Sequence, residues 1–246
     1  MKNILLLLAV IATASLAWAQ LSLDLETGVA FSGYNDVRIP NNATQTRFSL
    51  TDDLKSQPVM YGRANLHWLV HPRHEVSLLV SPLTTKPSGT LDFPVVFQNE
   101  TFAAGQKIDA VYRFNSYRLQ YLYRFKNQNA IVRALGVSLK VRDAIISLKN
   151  EDVYAEKTDL GFVPLIGFEL GYDFSDEFGI LFKGEGLISP TGEGRAEDVL
   201  LAAKYNIDDR YSLFLGYRLL EGGGDVDEVY SFANINYLAV GTQIRF

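Results

Sequence analysis

The chain of 246 residues has no cysteine, two methionines, two tryptophans and three histidines. Without cysteine there is no disulfide framework, no thiolate metal site, no thiol nucleophile and no lipid-modified amino-terminal Cys. A net charge of −5, from 23 basic and 28 acidic residues, gives no electrostatic footprint for nucleic acid. Long stretches with apolar residues at helical spacing and caps are missing, so little helix is expected. What is plentiful is apolar and aromatic: 48% of residues are hydrophobic, with 13 Tyr and 15 Phe. That fraction is too high for a mainly disordered chain, and the length allows one large domain or two small ones. Aromatics in this number favour half-buried strands.

The one long apolar run is at the start. Lys2 precedes an unbroken stretch over 4–12, small residues follow, and Ala17-Trp18-Ala19 ends the segment before Gln20. A basic start, a short apolar run and a small-x-small exit describe a secretory signal peptide cleaved after Ala19. A spanning helix would need ~20 apolar residues, and no later stretch qualifies. The expected organisation is a signal peptide over 1–19 and one domain over 20–246.

Beyond Gln20 the dominant period is two. Leu21, Leu23, Leu25, Val29 and Phe31 alternate with Ser22, Asp24, Glu26, Gly28 and Ala30, and the segments around Trp68 and Tyr121 repeat the pattern. Such alternation predicts strands with one apolar face. Ten are expected, at roughly 21–33, 59–70, 75–82, 109–125, 130–142, 160–173, 178–188, 198–205, 211–220 and 230–246. Short polar connections (71–74, 126–129, 174–177, 206–210) alternate with long ones (34–58, 83–108, 143–159) and with shorter glycine-rich ones (189–197, 221–229). This is the layout of an antiparallel up-and-down transmembrane β-barrel, all-β, with both termini on the short-turn side. That closure needs an even strand number, and eight or twelve would also satisfy it.

Alternation alone does not say whether the apolar face points inward, as in a soluble barrel, or outward into lipid. Aromatics flank the short turns on the apolar parity: Trp68, Tyr121, Tyr123, Phe125, Tyr172, Phe174, Phe178, Tyr205 and Tyr211. A belt at one height is what a membrane interface rewards. The opposite parity carries the bases Arg63, Arg118, Arg124, Lys140, Lys183, Lys204, Arg218 and Arg245 and the acids Asp24, Glu26, Glu75, Glu169, Asp173, Glu185 and Asp198. In a soluble barrel they would be a solvated face; in a membrane barrel they would pair across the lumen. Arg133 breaks the scheme by falling on the lipid parity of Ile131, Leu135, Val137 and Leu139. A charge there costs ~2–4 kcal/mol at the midplane and ~0–1 near an interface. Snorkelling from its place beside the 126–129 turn, or a local bulge that reverses parity, would relieve it.

The chain ends with Val240, Thr242, Ile244 and Phe246 on one parity. An alternating final strand closing on a terminal Phe resembles the carboxy-terminal signature of bacterial outer-membrane β-barrel proteins. The likeness covers the whole chain as a pattern and is specific for the class, not for a member. It implies a bacterial outer-membrane location, Phe246 as the signal read by the barrel-assembly machinery, and a monomer surrounded by outer-membrane lipid and lipopolysaccharide.

Residues able to do chemistry are few. His71 and His74 bracket a turn, at a spacing poor for metal binding, and His67 reads as a hydrogen-bonded lumen residue rather than a general base. No G-x-S-x-G elbow occurs. Glu169 and Asp173 beside Lys183 and Glu185 read as ion pairs rather than a glycosidase pair. The acidic 221–228 segment lacks the spacing of a calcium loop, and no cofactor or metal is expected. The cluster Leu91, Phe93, Val95, Val96 and Phe97 in the second long loop is expected to pack above the membrane rather than form an exposed patch. The leading expectation is a non-enzymatic barrel with a narrow, charge-paired lumen and outward-facing loops, in a structural or surface-interaction role. The alternatives are a small-solute pore, with Gly136, Gly167, Gly171, Gly179, Gly216 and Gly241 leaving gaps in the lumen, and a lipid-modifying enzyme or surface protease.

Overall fold

A computed structural model describes residues 20–126 and 131–246; the expected signal segment and most of the 126–129 turn lie outside them. Ten long strands form the wall: β1 (Gln20–Arg38), β2 (Val59–His71), β3 (His74–Ser81), β4 (Lys107–Arg124), β5 (Val132–Lys149), β6 (Tyr154–Asp173), β7 (Phe178–Ile188), β8 (Gly194–Asn206), β9 (Tyr211–Val226) and β10 (Val229–Arg245). Each pairs antiparallel with the next, and β10 returns to β1 in a register running from Ser22 opposite Arg245 to Arg38 opposite Tyr230. The sheet is a closed ten-stranded up-and-down barrel.

Below the long loops the apolar parity faces outward. Met60, Leu66, Leu78, Leu119, Val137, Phe162, Leu215 and Leu238 are all exposed on the outer wall, while Asp24, Glu26, Arg63, Arg118, Asp198 and Arg218 are buried inside. The outward row on β1 runs from Leu21 to Phe31. That is ~33 Å of strand, or about 25 Å of height at the tilt usual for membrane barrels. The aromatics flanking the short turns form its lower rim, with Tyr172 against Phe174, Phe178 against Tyr205 and Tyr123 against Phe125 at centroid separations of 5.3, 4.9 and 5.4 Å.

Above that band the polarity of the wall inverts. On β5 the outward Leu135, Val137 and Leu139 give way to an apolar inner row of Ala144, Ile146 and Leu148, and the opposite parity carries Asp143 and Lys149 alongside Ile145 and Ser147. On β4 the outer Tyr117, Leu119 and Tyr121 are replaced by inner Ile108, Ala110 and Tyr112. A strand that passes from hydrocarbon into water must exchange its faces at the boundary. This exchange is why the expected 143–159 loop is strand instead. The period-two signal changes sign there, yet β5 and β6 continue to a tight 150–153 turn in which the Asn150 side-chain oxygen accepts the amides of Asp152 and Val153. The expected 221–229 loop likewise becomes the upper half of β9 and its hairpin to β10.

The two remaining long connections fold onto the upper wall. Phe48–Ser49 adds to β1, Thr84–Thr85 and Ser88–Thr90 add to β4, and Val95–Phe97 pairs with Glu100–Phe102 in a small hairpin. Val95, Phe97 and Phe102 are fully buried and Phe48 meets Phe97 edge-on at 6.2 Å. The 91–97 cluster therefore packs internally.

Arg133 is relieved by a bulge. Between Val132, opposite Leu170, and Ala134, opposite Glu169, the β5–β6 register slips by one residue. The slip turns Arg133 into the lumen, where it reaches Asp173 at 2.8 Å and covers Gly171.

The outer wall yields a direct test. Val137→Arg, at a position 58% exposed in mid-band, is expected to cost ~2–4 kcal/mol of folding stability in phospholipid vesicles, and Tyr172→Arg at the lower rim about 0–1. Equal costs in urea titrations would contradict the placement of the band.

Candidate functional site

The lumen is crossed at mid-height by a layer of three guanidiniums and three carboxylates. Asp198 on β8, 2% exposed, faces Arg118, Arg218 and Arg63 at 2.6, 2.5 and 3.2 Å. Glu26 accepts a two-pronged contact from Arg218, at 2.8 and 2.6 Å, and Glu185 accepts Arg118 at 2.8 Å. Tyr61 donates to Glu26 and Arg63 donates to Ser81, while Gln120 donates to Glu185. These residues come from β1, β2, β3, β4, β7, β8 and β9, so the layer ties together strands distant in sequence. Planar guanidinium forks can serve two carboxylates at once, which is why arginine rather than lysine holds the centre.

A second layer lies toward the short turns. Lys183 meets Asp24 at 2.9 Å, and Arg124 bridges Glu75 and Glu169 at 2.5 and 3.2 Å. His67 stands between Asp24 at 3.3 Å and Glu75 at 2.8 Å. Its Nδ1 is hydrogen-bonded to Glu75, and its Nε2 faces the Asp24 carboxylate. The void between the two layers is about 70 Å³, room for a few waters and not for a solute.

The layers divide the lumen into two vestibules. The one at the short-turn end, about 590 Å³, is lined by charged groups including Arg133, Asp173, Lys204 and Arg245. Lys204, expected in the charge network, has no carboxylate within ion-pair reach among the described residues; Asp173, level with it two strands away on β6, pairs with the inturned Arg133. The vestibule at the loop end, about 360 Å³, is mainly apolar. The inward glycines leave no gaps: Phe214 fills the space over Gly241, Gln120 that over Gly167 and Arg133 that over Gly171.

Parity places these charges on one face and does not say which charge meets which. Tyr61, Ser81 and Gln120, which complete the layer, carry no sequence signal beyond their inward parity. Among the described residues no cluster of His, Asp and Glu has the geometry to hold a metal ion.

On the outer face, above the lipid-facing band, Glu221 accepts the Tyr34 hydroxyl at 2.7 Å and Arg195 at 2.5 Å. The Tyr34 hydrogen bond, followed by the one from Arg195, holds its carboxyl below the usual glutamate range. A carboxylate with a lowered folded-state pKa contributes stability above its ordinary value and loses it as the pH falls.

No protein-family model and no curated protein matches the chain. Among solved structures it is similar to the outer membrane protease OmpT of Escherichia coli, with a TM-score of 0.54 and 12% identity over 92% of this chain and 97% of that one. It also aligns with the attachment invasion locus protein Ail of Yersinia pestis (TM-score 0.37, 12% identity, 92% and 99% covered) and Neisserial surface protein A (0.35, 13%, 93% and 97%). At these identities the first likeness speaks for the fold alone, and the other two alignments add nothing to it. The chain has the fold of the bacterial outer-membrane β-barrels.

Removing one partner from a buried ion-pair cluster leaves charge uncompensated. Asp198→Ala, which strips a shared acceptor from three arginines, is expected to lower stability by about 3–5 kcal/mol, read from urea unfolding in vesicles. On the outer face, carboxyl NMR is expected to give Glu221 a titration midpoint below the ordinary glutamate range, and Tyr34→Phe to move it upward. An unmoved midpoint would remove Tyr34 as the cause.

Proposed function

We propose that this chain is a non-conducting, non-enzymatic outer-membrane barrel of the bacterial envelope, with its short turns in the periplasm and its folded loops outside. On this reading the barrel presents the surface formed by 39–58 and 82–106 to the exterior, in a structural or surface-interaction role. The observation that carries it is the guanidinium–carboxylate layer around Asp198, in which Arg63, Arg118, Arg218, Glu26 and Glu185 are all buried. Eight-stranded barrels have interiors that side chains just fill, and open aqueous channels are found at ~16 strands. Ten strands crossed by interlocked arginines leave no continuous path. The inversion of wall polarity at the level of Phe31 supports a bilayer below and water above.

The absence of cysteine from the chain makes the orientation easy to test. Glu100→Cys at the loop-hairpin tip is expected to react with an impermeant maleimide on intact cells, and Asp176→Cys in a short turn only after lysis. In planar bilayers the pure protein is expected to show no discrete conductance steps, whereas Arg118→Ala/Arg218→Ala opens them. Steps from the unsubstituted protein would overturn the closed reading.

A further inference from the structure

The loop-end vestibule holds one basic side chain that the fold leaves without an acid. Lys140 on β5 is 4% exposed and lies directly opposite Arg118 on β4. Both carboxylates near Arg118, Glu185 and Asp198, are already engaged by it. The other cations of this wall have acids of their own: Arg142 pairs with Asp159, and Lys157 with Glu228 at 3.4 Å. Among the described residues Lys140 has no ion-pair or hydrogen-bond partner, and its ammonium lies 4.6 Å from the centroid of the Phe114 ring. Phe114 in turn stacks on Tyr112, with centroids 6.2 Å apart and planes 5° apart. Ala144, Ile146, Val163 and Leu220 extend the apolar wall around them.

We propose that this vestibule is a binding site for a compact apolar monocarboxylate, with its carboxylate on Lys140 and its body against the Phe114–Tyr112 stack. Charging a buried amine without a counter-ion is costly, and an anion that carries its own apolar body supplies that counter-ion while covering the wall. Small-molecule sites are mostly apolar concavities of roughly 300–1,000 Å³ with a few polar groups that fix orientation; this one, at about 360 Å³, is at the small end. One lysine is a point charge, suited to a single carboxylate, where a phosphate or dianion would call for a fork of arginines. The ion-pair layer closes the floor, so the ligand enters from the loop end. A long acyl chain would project back through that mouth into water, which limits the body to a ring or short chain. The site needs the cavity and Lys140, and stands whether or not ions pass the layer beneath.

The test uses the full folded barrel in nanodiscs, titrated calorimetrically with benzoate and with benzamide as its uncharged counterpart. Benzoate is expected to bind at one site, and Lys140→Gln to weaken it roughly tenfold, the scale of one lost charge-assisted contact. Benzamide is expected to bind weakly and equally to both proteins. Ala144→Phe, which keeps Lys140 but fills the wall, is expected to weaken benzoate as well, and serves alone if Lys140→Gln does not fold. No saturable benzoate binding, or affinity unchanged in whichever of the two variants folds by circular dichroism, would overturn the assignment.

Discussion

Hydrocarbon offers no partner to a peptide N–H or C=O, and a strand can enter it only if both edges are paired. Everything else in this molecule follows from that constraint. It forces the sheet to close, and the closing seam between β1 and β10 brings the ends of the described domain side by side, with Ser22 opposite Arg245. It also requires the rows of side chains that point outward to be apolar over the height of the bilayer and polar beyond it. The exchange on β5 from outward Val137 and Leu139 to inward Ile146 and Leu148 is this constraint written along a single strand.

Closure then creates a second problem, which the charged layer solves. A ring of ten strands leaves an interior that side chains must fill, and the parity rule makes that interior polar. Arginine is suited to the task because one guanidinium can bind two carboxylates on different strands, as Arg218 does with Glu26 and Asp198 and Arg118 with Glu185 and Asp198. Together with the contact of Arg63 to Asp198, these contacts link β1, β2, β4, β7, β8 and β9 across the lumen. Such clusters contribute less to stability than their number suggests, because burial of each charge offsets much of the attraction. Their larger effect is on geometry, since the one Asp198 carboxylate ties together arginines from three strands.

The bulge at Arg133 shows how local and global requirements interact. A charged side chain at an outward position is paired instead by slipping one residue of register, at the cost of a local break in the ladder. The slip joins Asp173 to Arg133, while Lys204, two strands away at the same level, has no acid within ion-pair reach among the described residues. The short-turn vestibule accordingly keeps a cation facing its open space, while the loop-end vestibule keeps Lys140 against an aromatic wall.

The amino-acid order by itself determined the all-β antiparallel barrel architecture and an even strand number, with an alternation that separates an apolar row from a charged one. All of these depend on the period-two alternation and the spacing of turns, which are local properties of the chain. The upper halves of β5, β6 and β9 were not legible in the same way, because the alternation reverses sign at the water boundary and a window spanning the reversal shows no period. Nor could the pairing within the lumen be read from the chain, since Glu26 and Arg218 are 192 positions apart and meet only after the barrel has closed. Whether Arg133 snorkels or turns inward, and that Lys140 and Lys204 are left without an acid, were decided by tertiary structure alone. Both depend on competition among charges that share a confined space, and no single strand carries the information about its competitors.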